Sequence, residues 1–275
     1  MFGLIFRSLV ALPLPLPLPL PLPLPLVLLV APQLAVLPAG AAELKAPGSQ
    51  SCPLPKPGRY VLMGEGQKGV QPLAELAQEQ WLPGGRIEGV RYSRLGQGFE
   101  EETYGATYSS MPGCWLSIKP VGRSSRRPLQ VALDRTGRPK VAIGTEVGVV
   151  FSAQYVEQSE VSCGWKQLDG LVISVQRGNS LEAGRWLPNA VIQREVWNAG
   201  QVRGKAVSSY GGKSDVVGYT GTMELAPNCL AKLREVDAAG RAYNYRAIVL
   251  ASGRGYFYLQ TDPTDLTLGY LARQR

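Results

Sequence analysis

The sequence predicts an all-β protein: two tandem antiparallel β-barrel units behind an N-terminal signal peptide. Three observations lead there. The chain beyond residue 42 says the same thing twice, and its four cysteines fall at equivalent places in the two copies. Glycine, valine and tyrosine are frequent while long helix-forming runs are few. The expected divisions are a signal peptide over 1–42, a linker over 43–57, a first barrel unit over 58–155 and a second over 156–275.

The N-terminal segment is read first because it sets the compartment. Residues 11–31, ALPLPLPLPLPLPLPLVLLVA, alternate leucine and proline for seven units. Each proline fixes φ, lacks an N–H and pushes its predecessor out of the α region, so the tract is extended polyproline II. Such a segment cannot satisfy its own backbone in lipid, which argues against a permanent membrane span. Arg7 is the only charge before Glu43, and Pro38-Ala39-Gly40-Ala41-Ala42 offers a small-residue cleavage site. The expectation is export to the periplasm or extracellular space with cleavage near Ala41 or Ala42.

Removing 1–42 takes away one arginine and no acid, so the formal charge of +8 becomes +7. The remainder is long enough for one large domain or two small ones. No histidine is present, which excludes Ser-His-Asp and Cys-His catalysis and the commonest zinc ligand sets. Cys52, Cys114, Cys163 and Cys229 contain no CxxC and read as two disulfides of an oxidising compartment. No cofactor and no metal are expected.

The repeat begins at SCPLPKPGRYVLM and SCGWKQLDGLVIS, where Ser-Cys leads to Gly58 or Gly170 and then a strand-like run. QEQWLPGGRIEGV matches REVWNAGQVRGKA, with Trp81 opposite Trp197. An alternative sets Trp81-Leu82-Pro83 against Trp186-Leu187-Pro188, but needs a longer insertion before the cysteine. YGATYSSMPGC matches YTGTMELAPNC without a gap, aligning Tyr104 with Tyr219 and Cys114 with Cys229. VALDRTGRPKVAI then matches IVLASGRGYFYLQ, two apolar strands around a Gly-Arg turn. These equivalences favour Cys52–Cys114 and Cys163–Cys229, each worth roughly 4 kcal/mol by loop closure. The rival pairing, Cys52–Cys163 with Cys114–Cys229, crosses the units.

The segment from VWNAGQVRGKAV through PNCLAKL to AIVLASGRGYFYLQTD resembles a group of small exported bacterial β-barrel domains of lipocalin-like or calycin-like type. Their pattern runs W-x-x-x-x-G, G-T-Y, a cysteine and two closing strands. The resemblance covers the second unit well and the first loosely. In place of the family's Asp-Cys-Thr-Gly, this chain has Asn228-Cys229-Leu230-Ala231 and Gly113-Cys114-Trp115-Leu116. It implies a fold and no catalytic residue. The final LTLGYLAR is the expected closing strand of the second barrel.

Several motifs compete as sites. Gly64-Glu65-Gly66-Gln67-Lys68-Gly69 is a literal GxGxxG before PLAELAQEQ, a stretch of helix-compatible composition. The second unit has no equivalent, and a glycine-rich β turn is the better reading. Glu100-Glu101-Glu102 reads as a solvated acidic run rather than a glycosidase pair. Lys119, Arg123, Arg126 and Arg127 form an acid-free basic stretch, expected as a loop that attracts an anionic envelope component. Trp81, Tyr104, Tyr108, Trp197 and Tyr219 recur at matched places, as core or as the lining of an apolar cavity. The expected function is non-enzymatic binding of a small apolar or amphipathic ligand by the barrels. The alternative is an interaction module using the basic loop, an enzyme stands third, and nucleic acid is not expected as a partner.

Overall fold

The computed structural model describes residues 52–158, 162–250 and 253–274. The expected signal peptide and cleavage site lie outside them. Strand alternation dominates, and the described residues form two closed eight-stranded antiparallel barrels in tandem. The first comprises β1 (Gly58–Lys68), β2 (Gln71–Leu82), β3 (Arg86–Leu95), β4 (Gly98–Met111), β5 (Trp115–Val121), β6 (Leu129–Leu133), β7 (Pro139–Gly144) and β8 (Val149–Gln158). The second comprises β9 (Gly170–Glu182), β10 (Arg185–Asn198), β11 (Gln201–Tyr210), β12 (Lys213–Leu225), β13 (Leu230–Asp237), β14 (Ala242–Leu250), β15 (Gly255–Gln260) and β16 (Asp265–Arg273). Each is an up-and-down meander. It closes where the first strand pairs with the last, Arg59 opposite Gln158 in one and Val172 opposite Arg273 in the other. Closure removes the sheet edges, as the LTLGYLAR segment led us to expect. Among the described residues, no helix is long and apolar enough to cross a membrane.

The two halves share details beyond strand count. Trp81 stands opposite Gly58, and Trp197 stands opposite Gly170. Trp186 faces Leu181 instead, which decides between the two tryptophan alignments. The disulfides are Cys52–Cys114 and Cys163–Cys229, so each ties the segment before a barrel to the turn between its fourth and fifth strands. Cys114 and Cys229 both adopt left-handed backbone, with φ of 65° and 73°. That conformation is uncommon outside glycine, and its recurrence marks the two turns as one design.

The glycine-rich motif is a hairpin element. Gly64 and Gly66 lie within β1, and residues 72–80, whose composition suits a helix, are in β2. A Cβ on Gly66 would lie 1.9 Å from the Val150 carbonyl oxygen, so glycine lets β8 press onto β1 there.

The barrels pack on each other through β2, β14, β15 and β16. Val61, Ala74, Leu76 and Tyr92 of the first bury against Ile248, Phe257, Leu259 and Leu266 of the second. Strands at this seam are apolar on both faces, one toward the lumen and one toward the other barrel. That is why 243–250 lacks a polar face. Arg94, fully buried, spans the seam to the β15–β16 turn.

Candidate functional site

The lumens are where the two copies agree and then part. On β2 the alternation sends Leu73, Glu75, Ala77, Glu79 and Trp81 inward; on β10 it sends Val191, Gln193, Glu195 and Trp197 inward. Acids sharing parity with a core tryptophan must be buried. Glu79 Oε2 accepts from Trp81 Nε1 at 2.7 Å and its Oε1 from the Tyr104 hydroxyl at 2.7 Å. Glu195 repeats this with Trp197 Nε1 at 2.9 Å and Tyr219 at 2.7 Å. The tyrosines reach across because the strand beneath them carries glycine: a Cβ on Gly204 would lie 2.4 Å from the Tyr219 ring.

In the first lumen the shared carboxylate meets a guanidinium. The connection between β5 and β6 (residues 122–128) folds inward over the barrel end. Arg126 Nη1 stands 2.5 Å from Glu79 Oε1 and also donates to the Tyr104 hydroxyl. Arg127 Nε donates to Glu75 Oε2 at 3.3 Å, with its guanidinium over the Phe151 ring. Arg91 links Glu75 to Glu102, and Ser125 Oγ bonds Glu100 and Glu102, pinning the loop from above. Burial pulls the Arg126 pKa down, but Glu79 and the neighbouring tyrosines outweigh it and hold the guanidinium firmly charged.

This corrects the expectation of a four-cation exposed loop. Lys119 and Arg123 are exposed, whereas Arg126 and Arg127 are buried plugs of the first barrel. The acids that neutralise them sit some 50 residues upstream on β2, so nothing adjacent in the chain reveals the pairing. The acidic run is also not free: Glu100 and Glu102 serve Arg91, and Glu101 pairs with Arg246 of the second barrel at 3.1 Å.

Among the described residues the second lumen has no plug. Its β13–β14 connection turns back within residues 238–241, and the inward residue of β13 is another acid, Glu235. Glu235 lies within hydrogen-bonding reach of Glu195, Tyr245 and Gln193. Tyr256 donates to Glu195 Oε2 at 3.0 Å, while Ser174, Gln176 and Tyr258 all donate to Gln193 Oε1. At the far end Asn189, Ser180, Asp265 and Arg241 form a hydrogen-bonded chain. Among the described residues neither Glu195 nor Glu235 has an ion-pair partner.

No family model and no curated protein matches the chain. Solved structures that align with it include two of low identity. Kievitone hydratase from Nectria haematococca is 7% identical over 82% of this chain and 91% of that one, with a TM-score of 0.27. A protein of unknown function of the DUF3598 family from Nostoc punctiforme is 8% identical over 80% and 96%, with a TM-score of 0.25. Neither likeness is close enough to carry a functional argument.

Burial raises both carboxyls of the pair. Hydrogen bonds from Tyr219, Trp197, Tyr256 and Glu235 hold Glu195 back, while the Glu195 charge adds to burial at Glu235 and lifts it well above the ordinary range. Glu195 is the better-solvated anion because Trp197, Tyr219 and Tyr256 all donate to it. Of the two, Glu235 holds a proton the more tightly, directed at Glu195. The neighbouring tyrosines stay neutral, since burial and then the carboxylate charge push the Tyr219 hydroxyl up.

Of the aromatic candidates, Trp81, Tyr104, Trp197 and Tyr219 converge on the two lumen acids. Tyr108 stacks on Trp81 with centroids 5.1 Å apart. They belong to two separate lumens, not to one site. The residues that sequence reasoning missed are the acids themselves, Glu79, Glu195 and Glu235. Their strand parity with Trp81, Trp197 and Leu233 was the signal available.

Proposed function

We propose that the protein is an exported, non-enzymatic binder of a small amphipathic molecule, with the second barrel as its receptor. The observation that carries this reading is the missing plug: a loop of the chain enters one lumen, and among the described residues none enters the equivalent lumen. The second lumen grades from an apolar floor of Trp197, Val202, Met223, Val249 and Leu271 to a polar far end, which suits a molecule apolar at one end. Small antiparallel barrels of this lipocalin-like kind commonly hold one ligand within. The two disulfides and the N-terminal segment support export. Native mass spectrometry of the full chain, purified from a host that exports it, is expected to show one small molecule per chain. Its loss from a folded Ala206→Trp variant, which fills the second lumen, supports the placement. Recovery of the ligand-free mass alone rejects the reading.

A second reading, docking on an anionic envelope surface, is favoured by the outer face of β10–β13. Strand coiling makes this face a trough of about 1110 Å³ lined by Arg194, Arg203, Lys205 and Arg234. Register sets Arg194 beside Lys205 and Arg234 beside Thr222, and no acid pairs with the four among the described residues. An exposed basic concavity attracts anions in a salt-screened manner. Vesicles rich in phosphatidylglycerol are expected to sediment the wild-type protein at low salt. The Arg203→Ser/Lys205→Ser/Arg234→Ser variant should stay in solution, and unchanged sedimentation rejects this reading.

A further inference from the structure

We infer that the second barrel binds a cationic headgroup, an alkylguanidinium or alkylammonium, at Glu235, as the counterpart of Arg126 in the first barrel. This rests on the second barrel being the receptor and names the chemistry it selects.

The first barrel supplies the comparison. Glu79, Trp81 and Tyr104 repeat as Glu195, Trp197 and Tyr219 with the same donors on the same carboxylate oxygens. In the first barrel this constellation is completed by a guanidinium carried in on a loop. In the second the equivalent loop is shorter and brings in no guanidinium, and a further carboxyl group, Glu235, extends the acceptor surface.

Two buried acceptors of the second lumen are reached by no donor. Gln176 Oε1 and Asn189 Oδ1 have no hydrogen-bond partner, although their side chains are only 4% and 5% exposed. Gln176 bonds through its amide nitrogen to Gln193, which in turn reaches Glu235, so the orphan acceptor belongs to the same network. Buried acceptors are rarely left unpaired without a reason. A guanidinium offers five N–H donors and an ammonium three, and either also supplies the positive charge that this lumen lacks. An alcohol supplies a donor but no charge. An anion meets only like charge.

Binding is coupled to one proton. The charged and titratable groups around Glu235 are Glu195 on β10, Tyr219 on β12, Tyr245 on β14, and Tyr256 and Tyr258 on β15, with Asp265 and Arg241 paired at the far end. None of the close neighbours is a cation. Without a cation Glu235 holds a proton more tightly than an ordinary carboxyl, and a bound cation favours its carboxylate. Glu235 therefore releases its proton to solvent as the cation enters. Affinity rises with pH until Glu235 ionises without help.

Isothermal titration of the full chain with n-propylguanidinium, n-propylammonium, propanol and butyrate tests this. It is run at about pH 6.5 and about pH 8.5, in buffers of different ionisation enthalpy. The expected result is one guanidinium per chain, tighter at the higher pH, with a proton released and no butyrate binding. Glu235→Gln keeps the hydrogen bond to Glu195, folds by circular dichroism, and weakens guanidinium binding by about tenfold or more. Gln176→Met, which alters no charge, weakens it by a smaller factor, and Lys119→Ser leaves it unchanged. Propanol binding as tightly as the guanidinium, or full affinity in Glu235→Gln, overturns the cationic assignment while leaving the receptor reading intact. Binding of none of the four probes overturns both.

Discussion

Arg126→Met is expected to destabilise the protein by about 3–5 kcal/mol, because it leaves the Glu79 carboxylate buried with no counter-charge. Solvent exposure of both side chains is nil, and the guanidinium is bonded to Glu79 and Tyr104. Adding Glu79→Gln removes the stranded charge while keeping an acceptor for Trp81 Nε1, and should restore on the order of 2 kcal/mol. Urea denaturation of the single and double variants measures both. A single variant within about 0.5 kcal/mol of wild type, the range of ordinary surface substitutions, would falsify the account of residues 122–128 as a structural plug.

Arg94→Met should cost a similar amount, about 3–5 kcal/mol, by a different route. Its guanidinium lies in the seam between the barrels and donates to six carbonyls. Two belong to its own hairpin, Gly96 and Gly98, and four to the β15–β16 turn of the other barrel, Gln260, Asp262, Pro263 and Asp265. Burial lowers its pKa, and the nearby Asp262 and Asp265 charges counter that fall. Methionine fills the volume but strands the carbonyls. Calorimetry should show one transition in the wild type and two, separately placed, in Arg94→Met as the barrels uncouple. Arg94→Lys should fall between, since an ammonium has three donors and no planar fork. A single unshifted transition in Arg94→Met would mean that the apolar seam alone couples the barrels.

The fold was largely legible because repetition amplifies weak signals. A lone tryptophan or cysteine says little, but Trp81 with Trp197 and Cys114 with Cys229 recur at one spacing, and the fold places each pair equivalently. The disulfide pairing followed from the same spacing. The plug was not legible. Gly122 to Arg127 has the look of a loop tip because its charges have no local partners, and inversion of a loop into a barrel is a tertiary event. A stricter reading of parity had the means to raise the alarm. Glu75 and Glu79 share a face with Leu73, Ala77 and Trp81, and an acid on a core face demands a cation from somewhere in the chain. Arg94 was hidden for a related reason: its acceptors are backbone carbonyls, which leave no trace in side-chain pattern.

Carrying its own arginine on a short covalent arm gives the first barrel a guanidinium at a fixed effective concentration, millimolar or higher for a connection this short. Dilution, dialysis and changes in the medium cannot remove it. The first barrel is in that sense permanently saturated, and its occupancy was settled when the chain was synthesised. The second barrel shares the scaffold and the seam, but among the described residues no tether reaches into it. On the receptor reading proposed above, its occupant comes from solution and can leave again. A single polypeptide would then carry the bound form of a site as its own internal standard beside an exchangeable copy.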